Sequence, residues 1–289
     1  MVQTYTKESF FKKHRKKFIT VIILFVLALF LYWQDNSLVV TNYVYKSNKV
    51  TEENDGFKMV VVSDLHKKEF GKDNKKLIEK VKGCNPDAIM IPGDFVDSPN
   101  YESCIELAKK LVKIAPVYYV TGNHEVALND GNILSELEFA GVKVFDDLYG
   151  SAVGDDKPVL INDSLFVFGV DDRVLDNSTG NIEYALAGNT SKKETLNILL
   201  AHEPQYFEDY ASTDVDIVLC GHAHGGQFRI PRTNIAFVAP DQGFLPKYTS
   251  GVHESNGTTM YISRGLGNSI IPIRIFNRPE ILEITLKSE

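Results

Sequence analysis

Short apolar runs and amphipathic segments alternate along the chain from about residue 57. The first run, 58–63, is rich in β-branched residues, as strands buried on both faces are. In the next segment, 74–82, Leu77, Ile78 and Val81 fall on one face of a helix. Because strand and helix alternate about every 30 residues, the pattern predicts βαβ units. Further strands are predicted at 88–92, 117–120 and 142–145, and further helices at 102–114 and 131–140.

The second half of the chain contains more closely spaced strands. The runs 159–161 and 165–170 are separated by Asn162-Asp163-Ser164, which is typical of a hairpin. Buried strands are predicted again at 197–201 and 215–220, and short strands dominate from 228 onward. This order predicts an α/β fold in which two mixed sheets pack face to face, with helices on the outside.

The N-terminal region has a different pattern. A basic segment, 1–17, carries six Lys or Arg residues against Glu8 and leads into 18–33, which contains no charged residue. This combination predicts a transmembrane signal anchor over 18–40, followed by a linker over 41–56 and a domain over 57–289.

A cleaved signal peptide is the alternative interpretation of the same pattern. No small-x-small cleavage site follows Leu31, which favours a retained anchor. Tyr32 and Trp33 are residue types that anchor the end of a span at the membrane surface. Since positive charges stay on the cytoplasmic side, the domain is predicted to lie outside the cell membrane.

The charge is unevenly distributed. The whole chain carries −7 and the basic segment about +5, so the remainder carries about −12. An acidic body argues against nonspecific binding of nucleic acid. The three cysteines, Cys84, Cys104 and Cys220, have no metal-ligand spacing such as C-x-x-C and imply no disulfide framework.

Five short polar clusters carry the candidate chemistry, and nearly all of them directly follow an apolar run. Open α/β sheets bind ligands just beyond the carboxyl ends of their strands, so we expect these clusters to meet at one edge. The clusters are Asp64-Leu65-His66, Gly93-Asp94, Gly122-Asn123-His124-Glu125, Ala201-His202 and Gly221-His222-Ala223-His224.

The donor types suit a pair of divalent cations. Asp64 and His66 are two positions apart, so in an extended segment both side chains can point the same way and chelate one ion. Asp94 could bridge two cations through its two carboxylate oxygens. Nitrogen and oxygen ligands without thiolate suit Mn, Fe, Zn or Co better than Ca. Two such cations about 3.5 to 4 Å apart can hold an attacking hydroxide and neutralise a phosphoryl oxygen.

Each cluster alone also has a purely structural explanation. Asp64 and His66 could be a turn residue and a surface histidine, and Gly93-Asp94 could be a simple turn. Asn123 could cap the helix that follows it. Five clusters in order, however, favour the metal site over this combination of coincidences.

Two further residues are candidates for proton transfer. His124 follows Asn123 directly and is best placed as a noncoordinating acid that protonates the leaving oxygen. Asp97, three residues after Asp94, could orient that imidazole and stabilise its charge.

Together these motifs resemble the signature of the calcineurin-like metallophosphoesterase superfamily. The segment Cys220-Gly-His-Ala-His-Gly-Gly-Gln-Phe228, with Ser263-Arg-Gly-Leu-Gly-Asn268 downstream, resembles its membrane-associated bacterial branch of YkuE-like and YaeI-like phosphoesterases. The resemblance covers about residues 57–289 and implies a four-layer α/β/β/α sandwich with the site at one edge of the sheets.

The resemblance also assigns roles to residues. It implies Asp64, His66 and His224 on a first metal and Asn123, His202 and His222 on a second, with Asp94 bridging. His124 matches the family's proton donor, and Asp97 matches the carboxylate that pairs with it in the protein-phosphatase branch.

One position departs from the protein-phosphatase branch. Ser98 stands where that branch has a phosphate-binding arginine, which argues against phosphoprotein phosphatase activity. Arg264 and Arg232 are the candidate substitutes for binding the substrate anion.

The sequence therefore predicts a membrane-anchored, metal-dependent phosphoric ester hydrolase that uses two divalent ions. Its substrate would be a phosphomonoester, a phosphodiester or a pyrophosphate, and a site near the bilayer makes a lipid-linked substrate a candidate. One alternative is a noncatalytic surface protein in which metal organises loops that bind an envelope partner. Another is a dinuclear oxidoreductase-like site, but no redox-active ligand such as tyrosinate stands in the clusters.

Overall fold

The computed structural model describes residues 8–145, 158–176, 182, 186, 194–233, 235–268 and 272–289, with side chains from His14 onward. Its α-helices are α1 (Glu8–Asn36), α2 (Lys75–Cys84), α3 (Glu102–Leu111), α4 (Asn123–Leu128), α5 (Asn132–Phe139), α6 (Asp172–Asp176) and α7 (Phe207–Tyr210). Its strands are β1 (Val39–Ser47), β2 (Lys58–Val61), β3 (Ala88–Pro92), β4 (Val117–Val120), β5 (Lys143–Val144), β6 (Val159–Ile161), β7 (Leu165–Gly169), β8 (Leu196–Leu200), β9 (Ile217–Cys220), β10 (Val238–Ala239), β11 (Gly243–Phe244), β12 (Gly251–Ser255), β13 (Thr258–Ile262) and β14 (Glu280–Ser288).

Two six-stranded mixed sheets form the body of the domain. The first has the order β1-β14-β2-β3-β4-β5, in which β2 to β5 are parallel and β14 is antiparallel to β2. The second has the order β12-β13-β9-β8-β7-β6, in which β7, β8, β9 and β13 are parallel. A separate two-stranded ribbon, β10-β11, lies outside both sheets.

Three hydrophobic cores separate four layers. Met59, Met90, Leu200 and Leu219 belong to the core that joins residues of the two sheets, and all four are fully buried. The first sheet packs on its other side against α2, α3 and α5, and the second sheet packs on its other side against α6 and α7. The predicted α/β/β/α sandwich is confirmed.

The local pattern explains these elements. All five residues of β3 are buried, which fits an apolar run in a parallel sheet covered on both faces. In α2, Leu77 and Val81 are four residues apart and point into the core. The helix ends at Cys84 because Asn85 adopts a left-handed conformation and Pro86 cannot continue a helix.

The segment before the domain differs from the prediction. The span His14–Asn36 within α1 is 23 residues long and strongly apolar, so by length and composition it could cross a membrane. Val39–Ser47, however, is a strand that pairs with β14 in parallel over nine positions. The predicted span 18–40 therefore runs too far, and the predicted linker 41–56 contains an edge strand of the first sheet. Residues 1–7 of the basic segment lie outside the described residues.

The strand escaped prediction because it is only half buried. From Tyr43 to Ser47, intermediate and exposed positions alternate, as in an edge strand with one face on the core. On the core face Tyr43 packs against Tyr261 of the second sheet, with ring centroids 5.4 Å apart. Polar residues stand between the apolar ones, so the composition of the segment resembles that of a linker.

A substitution in the core between the sheets should destabilise the domain. Leu165 in β7 is fully buried there, so Leu165→Ala should lower the free energy of unfolding by about 2 to 5 kcal/mol. The matched control is Leu160→Ala in β6, because the Leu160 side chain is 49% exposed and leaves no cavity. Urea denaturation of the two variants would test this, and equal losses of stability would contradict the layer assignment.

Candidate metal centre

The predicted clusters all follow strands at one edge of the two sheets. Asp64, Asp94 and Asn123 come after the parallel strands β2, β3 and β4, and His202 and His222 come after β8 and β9. The two sheets approach closely at this edge: a Cβ atom on Gly93 would lie 2.4 Å from His202 Nδ1, and one on Gly221 would lie 2.6 Å from Asp64 Oδ2.

The backbone is strained at most of the predicted ligands. Asp64, His66, Asp94, His222 and His224 all have φ between 45° and 64°, which is uncommon for residues other than glycine. Such strained residues cluster at functional sites, where the surrounding structure holds them in place. Here the five left-handed residues lie in three loops, those after β2, β3 and β9, and their side chains point to one centre.

The first group of potential ligands consists of Asp64, His66, Asp94 and His224, all of them buried. His66 Nε2 lies 3.0 Å from His224 Nε2 and 3.5 Å from Asp94 Oδ2. His224 Nε2 lies 3.7 Å from Asp64 Oδ1. Asp64 Oδ2 is buried without a hydrogen-bond partner. Ligands about 2.1 Å from a common cation are about 3 to 3.5 Å apart, so this spacing fits a metal site.

The second group consists of Asp94, His202 and His222, joined by the amide oxygen of Asn123. His202 Nε2 lies 3.3 Å from Asp94 Oδ2, 3.1 Å from Asn123 Oδ1 and 3.2 Å from His222 Nδ1. Asp94 thus belongs to both groups. All seven residues that the sequence singled out as ligands lie together in the centre.

Hydrogen bonds on the far side of two imidazoles fix the tautomers in the second group. His202 Nδ1 donates to the carbonyl of Pro92 at 2.9 Å, so in the neutral ring, the form that binds metal, Nε2 has its lone pair toward the centre. His222 Nε2 lies 2.8 Å from Asp241 Oδ2 and donates to it, which leaves the lone pair of Nδ1 facing Asn123 and His202. Four acceptor atoms therefore face one another, an arrangement that a cation stabilises.

The electrostatics of the centre favour added positive charge. Burial lowers the pKa of His66 to about 4 and that of His224 well below its usual range, so both rings are neutral at pH 7. Burial also lowers the pKa of His202, but the Asp94 carboxylate outweighs it and raises this pKa well above 6.5. Burial opposes ionisation of Asp94, yet His202 and the other imidazoles hold its pKa well below the usual value. The potential at His202 Nε2 thus favours a cation.

Glu125 holds the strand-end loops together. Its buried carboxylate accepts hydrogen bonds from the backbone N–H groups of Gly122 at 2.9 Å, Asp94 at 3.0 Å and Val96 at 2.7 Å. Gly122, and not Asn123, is the N-cap of α4, so the capping interpretation of Asn123 is wrong and its amide is available to the centre. Burial and the neighbouring Asp94 charge raise the pKa of Glu125 to about 8.

His124 lies at the exposed side of the centre. Its side chain is 34% exposed, its Nε2 is 4.0 Å from Asp94 Oδ2 and its backbone N–H donates to Asp94 Oδ1 at 3.0 Å. Its ring lies edge-on against His66, with centroids 4.6 Å apart.

Asp97 makes no direct ion pair with His124 among the described contacts. Among the described residues, the imidazole nitrogen within 4 Å of its carboxylate is His66 Nδ1, at 3.8 Å. Lys67 Nζ lies 3.9 Å away on the other side. The left-handed turn at His66 places that ring between Asp97 and the centre. Within 4 Å, Asp97 therefore contacts a predicted ligand, and its charge interacts with the predicted acid, His124, only at longer range.

Arg264 lies in an ion pair inside the protein. Its Nη2 donates to Glu280 Oε1 at 2.7 Å, and its backbone N–H contacts the other oxygen of that carboxylate at 3.2 Å. The guanidinium of Arg264 is thus already paired with the carboxylate of Glu280. The exposed Arg232 lies in the segment between β9 and β10.

Sequence reasoning missed two residues of the centre. Asp241 contacts His222 from the turn between β10 and β11, and the fully buried Arg274 has Nη2 3.4 Å from His224 Nδ1. Apolar residues precede both of them, but neither stands in a recognised ligand motif, so the local sequence does not mark them as part of the centre. The Pro240-Asp241-Gln242-Gly243 turn could have been recognised as a turn, but not as a neighbour of His222.

The donor set fits two divalent cations. Nitrogen and oxygen atoms line both groups, no thiolate is among them, and one carboxylate is common to the two. The comparison with known families agrees: the calcineurin-like phosphoesterase family matches over residues 57–226, more than half of the chain. The chain belongs to this family.

Several members of the calcineurin-like phosphoesterase family are similar over most of the chain. The uncharacterized metallophosphoesterase YkuE of Bacillus subtilis is 29% identical over 89% of this chain and 88% of its own length. Phosphodiesterase YaeI of Escherichia coli is 25% identical over 80% of this chain and 82% of its own. A transmembrane protein with metallophosphoesterase domain from Danio rerio is 29% identical over 83% of this chain and 55% of its own. These similarities are consistent with the YkuE- and YaeI-like branch of the family.

The close approach of the loops gives a test of the centre. Gly93→Ala should reduce both stability and metal content, because φ is +80° and the added Cβ would lie 2.4 Å from His202 Nδ1 and 2.8 Å from Gly122 Cα. Thermal unfolding and elemental analysis of the purified variant would measure the two effects.

Gly83→Ala in α2 is the matched control. No atom lies within 4 Å of its added Cβ, so it should stabilise the protein by about 0.5 to 1 kcal/mol and leave metal content unchanged. If Gly93→Ala kept normal stability and metal content, the described packing of the two sheets at this edge would be incorrect.

Proposed function

We propose that the chain is a membrane-anchored phosphoesterase that uses two divalent cations, Mn, Zn or Fe, to hydrolyse a phosphomonoester, a phosphodiester or a pyrophosphate. The observation that carries the proposal is the position of Asp94, whose carboxylate belongs to both groups of potential ligands. A second observation supports it: the lone pairs of His202, His222 and Asn123 converge on one point.

In this proposal the two groups divide the cations between them. Asp64, His66 and His224 would hold the first, and Asn123, His202 and His222 the second, with Asp94 shared. Such a pair, when bound, neutralises charge on a phosphoryl group and makes water nucleophilic at neutral pH. Asp241 would keep His222 in the tautomer with a free Nδ1, and Pro92 would do the same for His202 Nε2.

His124 would supply the proton in the reaction. It is the most exposed imidazole of the centre, and its Nε2 is directed toward Asp94, where the phosphoryl group would lie. From there it would protonate the oxygen that leaves. Asp97 would act through its neighbours, since its carboxylate lies beside His66 and Lys67 and adds negative charge at the entrance.

The span His14–Asn36 supports a single-pass anchor in the cell membrane, because all but a small part of its surface is uncovered by the rest of the protein. The basic residues before and at the start of this span favour a cytoplasmic N-terminus and an extracytoplasmic catalytic domain. A substrate at the membrane surface, such as a lipid-linked phosphoester, would suit this position.

Activity and metal content separate the roles of the central residues. Asp94→Asn should lose much of both cations, because an amide cannot replace a carboxylate shared between two positive charges.

His124→Ala should keep its metal but lose about 10²- to 10⁴-fold in kcat, the usual contribution of a general acid. The assays are hydrolysis of p-nitrophenyl phosphate and bis-p-nitrophenyl phosphate with added Mn or Zn, together with elemental analysis.

His253→Ala serves as the control. His253 is half-buried outside the centre and lies 3.3 Å from the carbonyl of Ser250, so its loss should change neither rate nor metal content. No turnover of either ester by the metal-loaded protein would argue against the proposed function. A full rate in His124→Ala would instead remove only His124 from the mechanism.

The membrane topology can be tested independently of activity. In a bacterial host, alkaline phosphatase fused after Glu289 should be active, because that end lies outside the membrane in this proposal, and a fusion after Lys17 should be inactive. An epitope before Met1 should stay on the membrane-bound protein if the anchor is retained. Loss of the epitope would indicate cleavage, and the opposite pattern of fusion activities would reverse the topology.

A further inference from the structure

We propose that an exposed apolar surface beside the metal centre lies on the membrane, so that the centre faces the lipid headgroups. This proposal rests on the anchored phosphoesterase proposed above and names its second contact with the bilayer. We call this surface the apolar rim. Its members are Ile230 (39% exposed), Ile235 (47%), Phe237 (36%), Val238 (40%), Phe244 (69%), Leu245 (57%), Ile273 (38%) and Phe276 (48%).

Backbone hydrogen bonds and a ring contact connect five members of the rim in two sets. Ile230 N–H donates to Ile235 O at 3.0 Å, and Leu245 N–H donates to Phe237 O at 3.0 Å. The rings of Phe237 and Phe244 have centroids 6.3 Å apart. Single exposed apolar residues are ordinary, whereas a contiguous set beside a site indicates an interaction surface.

The rim is connected to the metal centre through Asp241. Val238 and Phe244 pair across the ribbon β10-β11, and Asp241 lies in the turn between them. Its Oδ2 is 2.8 Å from Nε2 of His222. The most exposed ring of the rim, that of Phe244, is therefore three residues from a side chain that contacts a predicted ligand.

The rim is also continuous with the outer end of the candidate membrane span. Phe228 forms a bridge with Ile275, and Arg229 N–H donates to Ile275 O at 3.0 Å. The next residue, Phe276, packs edge-on against Phe30 of α1, with ring centroids 5.6 Å apart. Apolar surface thus extends from α1 through Phe276 to the ribbon.

The end of α1 is fixed to the domain rather than loosely attached. The Asn277 N–H contacts Gln34 Oε1 at 3.2 Å, and the Arg274 N–H contacts Asp35 Oδ1 at 3.1 Å. Arg278 lies over the ring of Trp33 at 4.8 Å and donates to the carbonyl of Ser37 at 2.9 Å. Because this end of the helix is held in place, the rim cannot turn freely away from a membrane that α1 spans.

A lipid bilayer fits this surface better than a protein partner does. A large part of each apolar side chain is available, and the surface continues onto a helix whose own apolar side chains are exposed, as at Phe18 (68%) and Phe25 (63%). Aromatic and aliphatic side chains that enter the headgroup region, together with an exposed cation such as Arg232, are typical of interfacial membrane binding. A lipid phosphate could then reach the centre while its acyl chains remain in the bilayer.

Site-specific labelling can test the contact. Cys84, Cys104 and Cys220 are all buried, so a cysteine introduced at Phe244 can be labelled selectively with a polarity-sensitive dye. The full chain would be reconstituted in vesicles of equal parts phosphatidylcholine and phosphatidylglycerol. The label on Phe244→Cys should emit at shorter wavelength and be quenched by lipids with brominated acyl chains.

Phe139→Cys is the matched control. Phe139 is 91% exposed at the end of α5, beside β5 at the opposite edge of the first sheet from β1. Its label should report water and escape quenching. The proposal is overturned if both labels behave alike. It is also overturned if the Phe244 label shifts with protein density but is not quenched by brominated lipid, since a second copy of the chain would then cover the rim.

An activity measurement separates this proposal from the proposed function. The double variant Phe244→Ser, Leu245→Ser should keep the wild-type rate on soluble bis-p-nitrophenyl phosphate but lose rate on a phospholipid ester embedded in the vesicles. Equal rates for the double variant and the wild type on the embedded ester would count against the rim. If the wild type hydrolysed neither substrate, the proposed function would fail while the dye measurement would still decide the membrane contact.

Discussion

Asp94 carries a negative charge where its side chain is almost completely removed from water, and the rest of the centre is arranged around that charge. Burying an unpaired carboxylate is very costly, so it needs positive charge or hydrogen bonds close by. His124 N–H supplies one hydrogen bond, and the imidazoles of His66 and His202 approach within 3.5 Å. Cations in the two ligand groups would complete the compensation.

Glu125 extends the same constraint to the backbone. One carboxylate binds three N–H groups from the loops after β3 and β4, which fixes the position of Asp94 relative to Asn123. Because these loops also contact His202 across the gap at Gly93, the two sheets are aligned at the edge where the chemistry is expected. The packing that aligns the two sheets therefore also sets the positions of the ligands.

The sequence predicted the parts of the fold that have a local signature. Buried parallel strands such as β3 and β4 read as short apolar runs, and ligands directly after such strands could be expected to meet. The edge strand β1 was missed because a half-buried strand of mixed polarity looks like a linker. Asp241 and Arg274 were missed because their contacts with His222 and His224 depend on how distant loops fold back. The contact of Asp97 with His66 was missed because it depends on the left-handed turn at His66, which residue types alone do not specify.

The pairing of β1 with β14 has a consequence for how the protein is made. The strand β1, which follows α1 directly, has its hydrogen-bonding partner about 240 residues later, so α1 is synthesised long before the first sheet can be completed. Until residues 280–288 are available, β14 is absent and β1 has no neighbour in that sheet. The residues that hold the end of α1, Arg274, Asn277 and Arg278, also emerge late in synthesis. The domain therefore reaches its final orientation relative to α1 only as a last step of folding, after its inner strands could already have paired.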